Sequence, residues 1–149
     1  MASKRLRHSD TFKRKSSYRE ERIPTIDKDK IVISFKDFDG TQPRKQPQGF
    51  QDWEKEGILV EFLDRLPNLC EMTMQEAKNK EMITEYGEFP YAEGYKIPNK
   101  LKDKELRWAV LKKLTGQKVR VAGHIIDNVF SIVFLDKNHK FWPVEKKHT

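Results

Sequence analysis

Residues 118–143, KVRVAGHIIDNVFSIVFLDKNHKFWP, decide the fold. Within them, residues 129–135 form the most β-branched and aromatic run of the chain, which is typical of a buried central strand. Asp127-Asn128 suits a two-residue hairpin turn, because both residue types tolerate a left-handed backbone. The stretch therefore predicts strand, turn and strand, followed by a second turn and a third strand over 140–142, before Pro143.

The earlier part of the chain predicts one more strand and two helices. Residues 30–36, KIVISFK, alternate apolar side chains and predict a strand. Residues 50–66 carry apolar side chains at helical spacing with acidic ones opposite, which predicts one amphipathic helix that Pro67 ends or kinks. Thr73 to Glu76 has the form of a capping box, so a short second helix is expected to start there.

Two stretches are less regular. Residues 84–99 combine tyrosines, glycines and prolines without a period, which predicts a long loop. Residues 101–114 fit either a helix or a strand, because their apolar residues match both periods. Taken together, the elements predict an α+β fold in which one or two helices cover one face of a twisted antiparallel sheet.

Length and composition limit the organisation of the chain. At 149 residues there is room for one domain, which we assign to 29–149, preceded by a basic, flexible N-terminal arm at 1–28. No apolar run is long enough for a membrane span, and the N-terminus has no apolar signal core, so we expect a cytoplasmic protein without a membrane partner. Cys70, the single cysteine, excludes an internal disulfide and offers no zinc spacing, so neither a metal nor another cofactor is expected.

The positive charge is concentrated in the arm. Residues 1–22 carry eight basic side chains against three acidic ones, which gives +5 of the chain's net +7. Basic arms bind polyanions by releasing counterions, although a plain solvated tail is the alternative. We predict that the arm and Lys140 bind nucleic acid, with RNA favoured over DNA. The predicted arm contacts are Lys4, Arg5, Arg7, Lys13, Arg14, Lys15, Arg19 and Arg22.

Several short motifs suggest a family. The stretch RVAGH at 120–124, the following strand FSIVFLD and His139 resemble the C-terminal part of small, largely uncharacterised bacterial and phage proteins. ISFK at 33–36 and Met72-Thr73 resemble their earlier parts, so the similarity covers roughly residues 30–143. The order of one strand, helices and a meander also resembles the RelE/ParE class of toxins from toxin–antitoxin pairs.

The resemblance implies a RelE-like fold and an endoribonuclease that works without a metal, in which the 2′-hydroxyl attacks the scissile phosphate. It implies that Arg120 holds the phosphate while His124 or His139 transfers protons, since a guanidinium binds two oxygens and an imidazole titrates near neutral pH. Lys140 would be an additional cation, and an antitoxin or another protein would be the partner. For His139, a bond to the turn backbone beside an Asx-turn at Asp136 stays an open alternative.

A second functional hypothesis needs no catalysis. The chain would be a nucleic-acid or ribonucleoprotein accessory module whose affinity comes mainly from the arm. This hypothesis predicts salt-sensitive binding with little sequence preference. Whether the protein is an enzyme is therefore left open by the sequence.

Overall fold

The computed structural model of the chain describes residues 29–90 and 94–142. Within these residues, three helices, one 3₁₀ helix and five strands form an α+β fold, and no helix is long and apolar enough to cross a bilayer. The strands are β1 Val32–Ser34, β2 Ile83–Gly87, β3 Arg107–Leu111, β4 Arg120–Ile126 and β5 Val129–Asp136. The helices are α1 Phe50–Lys55, α2 Leu59–Leu69 and α3 Met74–Asn79, with the 3₁₀ helix at Asn99–Leu101. The predicted arm, residues 1–28, and Pro143 lie outside the described residues.

The described strands form one mixed sheet in the order β1-β5-β4-β3-β2. The pairs β2–β3, β3–β4 and β4–β5 are antiparallel, whereas β1 runs parallel to β5. The antiparallel arrangement agrees with the predicted sheet, although β2 lies where the sequence predicts a loop. The prediction of a purely antiparallel sheet is therefore wrong at β1. A parallel pair needs a long connection, and the chain between β1 and β5, which contains every helix of the described part, supplies it.

The predicted β4–β5 hairpin is confirmed. Ile126 pairs with Val129 across the turn, and Asp127 takes the left-handed conformation with φ of 54°. The two strands leave no room for a side chain at Gly123, where a Cβ atom would lie 1.9 Å from the carbonyl oxygen of Ser131. Only a residue without a side chain fits between the strands at this point.

The prediction of a third strand over 140–142 is wrong, because these described residues form no strand. Asp136 Oδ1 accepts a hydrogen bond from the Lys140 amide at 2.9 Å, and Oδ2 accepts one from the Phe141 amide at 2.7 Å. The Asp136 carboxylate thus accepts hydrogen bonds from the two amides that would otherwise pair with a neighbouring strand. The chain turns back, and the Phe141 side chain is fully buried.

The predicted helix over 50–66 is two helices. It breaks between α1 and α2 at Gly57, whose φ of 76° is left-handed and not helical. Pro67 lies inside α2 and does not end it. The bond that Pro67 cannot donate would go to the carbonyl of Leu63, a residue on the exposed side of the helix, where water can replace it.

The capping box is confirmed at the start of α3. Thr73 Oγ1 accepts a hydrogen bond from the Glu76 amide at 3.0 Å, and Glu76 Oε1 accepts one from the Thr73 amide at 3.1 Å. The loop predicted over 84–99 is wrong in its first residues, which belong to β2 and pair with β3. The ambiguous stretch 101–114 contains β3, so the strand alternative is the correct one.

Both faces of the sheet are covered. As predicted, the helices pack on one face, which we call the helix face. Its buried residues include Trp53, Phe62, Leu66, Leu69, Val121, Ile125, Phe130, Ile132 and Leu135. Loop segments close the opposite side, which we call the loop face. Its buried apolar residues include Tyr95, Leu101, Trp108, Val110, Ala122, Val133, Phe134 and Phe141.

Candidate functional site

His124 lies in the middle of β4 beneath the loop face and is only 2% exposed. Its Nε2 atom is 2.9 Å from Asp37 Oδ2, so the tautomer with the proton on Nε2 donates to that carboxylate. Its Nδ1 atom is buried and has no hydrogen-bond partner among the described residues. The imidazole meets the Trp108 ring in a T-shaped contact, with 5.9 Å between centroids. Both ring nitrogens are therefore enclosed by protein.

Asp37, the partner of His124, is not among the site residues that the sequence predicts. After β1 the Phe38 amide donates to the Phe35 carbonyl at 3.1 Å, which turns the chain across the sheet. The next anchor is the Asp39 amide, which donates to the carbonyl of Val133 at 2.8 Å. Val133 is the extra residue of a β-bulge in β5, so its carbonyl is available to hold this segment over β4.

Two lysines share the carboxylate of Asp37. The Nζ atoms of Lys36 and Lys100 lie 3.4 Å and 3.6 Å from Oδ1, and Lys100 Nζ also donates to the Lys36 carbonyl at 3.0 Å. Burial alone would raise the pKa of Asp37, but the His124 hydrogen bond and the Lys36 charge outweigh it and hold that pKa below its ordinary value. Two exposed positive charges therefore meet one buried negative charge.

Arg120 begins β4, on the same face of the strand as His124, as predicted from their even spacing. Its Nη1 atom donates to the carbonyls of Gln117 and Val119, while Nε is buried without a partner among the described residues. His124 lies four positions after Arg120 along the strand, which puts about 13 Å between their Cα atoms. The structure thus ties the guanidinium to nearby backbone and places it well away from the imidazole.

His139 and Lys140 follow β5 at the end of the sheet where Asp136 pairs with Arg120. His139 has a left-handed backbone with φ of 58°, and its Nε2 atom is 3.1 Å from the Trp142 carbonyl oxygen. This is the backbone-bonding geometry of the alternative interpretation of His139. Lys140 is exposed, so its charge is available at the surface.

The eight predicted arm contacts lie outside the described residues. The described chain begins at the opposite end of β5 from Lys140, where the Lys30 carbonyl accepts a hydrogen bond from Asn128 Nδ2 at 2.6 Å. The length of β5, about 25 Å, separates these two points. One ligand could contact both the root of the arm and Lys140 only by extending along the whole sheet.

Other chemistry has little support in the described part of the chain. It contains no group of three or more His, Cys, Asp or Glu side chains close enough to hold a metal ion. Cys70 is partly buried, and burial raises the pKa of its thiol, which keeps it protonated and a poor nucleophile. Among known proteins, no family model, curated protein or solved structure matches the chain, so its resemblance to the RelE/ParE toxins stays a prediction.

Proposed function

We propose that this protein is a non-catalytic nucleic-acid-binding accessory module that holds single-stranded RNA. The burial of His124 is the observation that favours binding over cleavage. A general acid or base must come within hydrogen-bond distance of the group whose proton it moves. With Nε2 bonded to Asp37 and Nδ1 enclosed, the imidazole offers no nitrogen to a substrate.

The charge distribution supports nucleic acid as the ligand. Residues 1–22 carry +5, and the described domain adds exposed lysines on the segments beside Asp37. Each phosphate neutralised by a lysine or arginine releases a counterion, so such charges bind RNA without needing a pocket. Long basic side chains suit an extended and irregular polyanion.

A salt titration tests the proposal. We would follow binding of a fluorescently labelled oligouridine to the full chain by anisotropy between 50 and 400 mM KCl. If all eight arm cations contact phosphates, the logarithm of the binding constant falls with the logarithm of salt with a slope of about −5 to −6 for a single strand. Replacing the eight by glutamine should remove most of that slope. Absence of binding at the lowest salt would refute the proposal.

The recovered RNA distinguishes binding from cleavage. We expect the oligonucleotide to run as a single full-length band on a denaturing gel after incubation with the protein. Fragments ending in a 2′,3′-cyclic phosphate would instead indicate attack by the 2′-hydroxyl, which is the endoribonuclease hypothesis. In that case the Arg120→Ala variant should no longer cleave the RNA. An antitoxin encoded by a neighbouring gene would be expected to suppress the cleavage.

A further inference from the structure

The turn at Phe35–Phe38 presents an aromatic ring beside positive charge. Phe35 is 41% exposed, and its ring meets Phe50 in an edge contact at 5.8 Å, so much of the ring remains accessible. The next residue, Lys36, has a side chain that is 68% exposed, and the Lys100 side chain is 53% exposed. The Phe38 amide, which donates to the Phe35 carbonyl, closes the turn that contains Phe35 and Lys36, and Lys100 Nζ is tied to this turn by its hydrogen bond to the Lys36 carbonyl at 3.0 Å.

Asp37 organises the two lysines. Because both ammonium groups are within 3.6 Å of the same carboxylate oxygen, they are at most about 7 Å apart. The carboxylate itself is fixed from below by His124, so the buried pair sets the position of two surface charges. The cluster retains an excess positive charge after Asp37 is counted, which leaves it able to accept an anion.

The neighbouring surface extends the positive charge. The Lys96 amide donates to Gln42 Oε1 at 2.6 Å, which joins the loop before the 3₁₀ helix to the loop that follows β1. The exposed basic residues of these two loops and of the segment that follows the 3₁₀ helix are Arg44, Lys45, Lys96, Lys102 and Lys104. The exposed acids among the described residues of the same segments are Glu88, Asp103 and Glu105, while Asp39 is occupied by hydrogen bonds from Thr41 and Gln42. Positive charge therefore exceeds negative charge across this surface.

We infer that Phe35, Lys36 and Lys100 form a contact surface for single-stranded nucleic acid on the folded domain, separate from the arm. This inference rests on the proposed function and adds a second, structured contact to it. The paired ammonium groups bind a backbone phosphate, and the Phe35 ring stacks on a base. A single strand fits because its bases expose their faces, whereas a duplex hides them within its stack.

Two variants separate the phosphate contact from the stacking contact. In the full chain, Lys36→Gln with Lys100→Gln should weaken oligouridine binding at least fivefold at 100 mM KCl and lower the salt slope by about 1.4, since two cations are lost. Phe35→Leu keeps an apolar contact with Phe50 but removes the aromatic face. It should weaken binding about fivefold and leave the salt slope unchanged.

Lys113→Gln is the matched control. Its side chain is 51% exposed, and its Nζ atom binds a backbone carbonyl, that of Lys80, and a carboxylate, that of Glu81, each at 3.2 Å. Like Lys100, Lys113 contacts one backbone carbonyl and one carboxylate, but it lies outside the inferred surface. Its substitution should therefore change the binding constant less than twofold. The Lys36→Arg, Lys100→Arg variant, which keeps both charges, should bind like the unaltered chain and shows that a loss does not come from misfolding.

The outcomes distinguish this inference from the proposed function. If the unaltered chain binds no RNA, both the proposed function and this inference are refuted. If the unaltered chain binds but the double glutamine variant matches Lys113→Gln, the surface is refuted while binding through the arm stands. If Phe35→Leu binds normally, or a duplex of equal length binds as tightly, the assignment to a single strand is refuted.

Discussion

Replacing Gly123 by alanine should strongly destabilise the fold. The added Cβ would lie 1.9 Å from the Ser131 carbonyl oxygen and 2.9 Å from a carbon of the Phe130 ring, whereas real Cβ contacts are essentially never shorter than 3.0 Å. The close atom is backbone of β5, so the two most buried strands must separate by roughly 1 Å. Overpacking by one methyl group costs about 1–3 kcal/mol where side chains can move, and we expect at least about 3 kcal/mol here.

Urea unfolding followed by circular dichroism measures this cost. With a slope of about 1–3 kcal/mol per molar urea, a loss of 3 kcal/mol lowers the midpoint by about 1–3 M. Gly49→Ala is the control, because the nearest atom to a Cβ at Gly49 is 3.6 Å away and its change should stay within about 1 kcal/mol. If Gly123→Ala were no more destabilising than Gly49→Ala, the close approach of β4 and β5 would be incorrect.

Three further predictions concern charge, capping and the hairpin turn. The hydrogen bond from Arg107, together with the charge of Lys78, lowers the pKa of Glu85 to about 2, although burial opposes the shift. The Glu85 carboxylate stabilises the fold fully above the unfolded-state pKa near 4.5, and this stabilisation is lost as pH falls towards 2. Glu85→Gln should therefore lower the free energy of unfolding by about 1–2 kcal/mol at pH 7 and by progressively less in acid. Urea unfolding at a series of pH values measures this difference. Thr73→Ala should cost about 1 kcal/mol of stability in the same assay, and Thr73→Ser should cost much less, because the serine hydroxyl still accepts a hydrogen bond from the Glu76 amide. Equal losses of stability in the two variants would contradict the capping role of Thr73. Because φ is positive at Asp127, Asp127→Gly should leave stability unchanged or raise it by up to about 1 kcal/mol. Asp127→Val should lower stability, since a β-branched residue is strained in this conformation. A glycine variant less stable than the valine variant would contradict the turn geometry.

The parts of the fold that the sequence predicts are those set by neighbouring residues. The β4–β5 hairpin follows from two apolar runs around Asp127-Asn128, and α3 follows from a capping box of four residues. The parts that it mispredicts depend on partners far along the chain. The first four residues of the predicted 84–99 loop belong to β2 because β3 offers them a pairing edge, and nothing in residues 84–87 alone reveals that edge.

The candidate site shows the same division. Even spacing correctly places Arg120 and His124 on one strand face, but it does not reveal that a loop covers that face. Asp37 and His124 are 87 residues apart, so no local motif connects them. The available signal was an aspartate directly after a strand, between Phe35-Lys36 and Phe38, where a solvated turn residue was the simpler interpretation.

The parallel pairing of β1 with β5 also has a kinetic consequence. Val32 contacts Val129, so the first strand of the described chain meets its partner only after nearly all of the domain has left the ribosome. Strands β3, β4 and β5 are close in sequence and can associate earlier, whereas a contact of such high sequence separation forms late. Destabilising β1, for example by Ile33→Ala, should therefore speed unfolding and leave the refolding rate nearly unchanged in stopped-flow measurements. Since Asp37 arrives with β1, the nascent chain would keep His124 uncovered until this last step of folding.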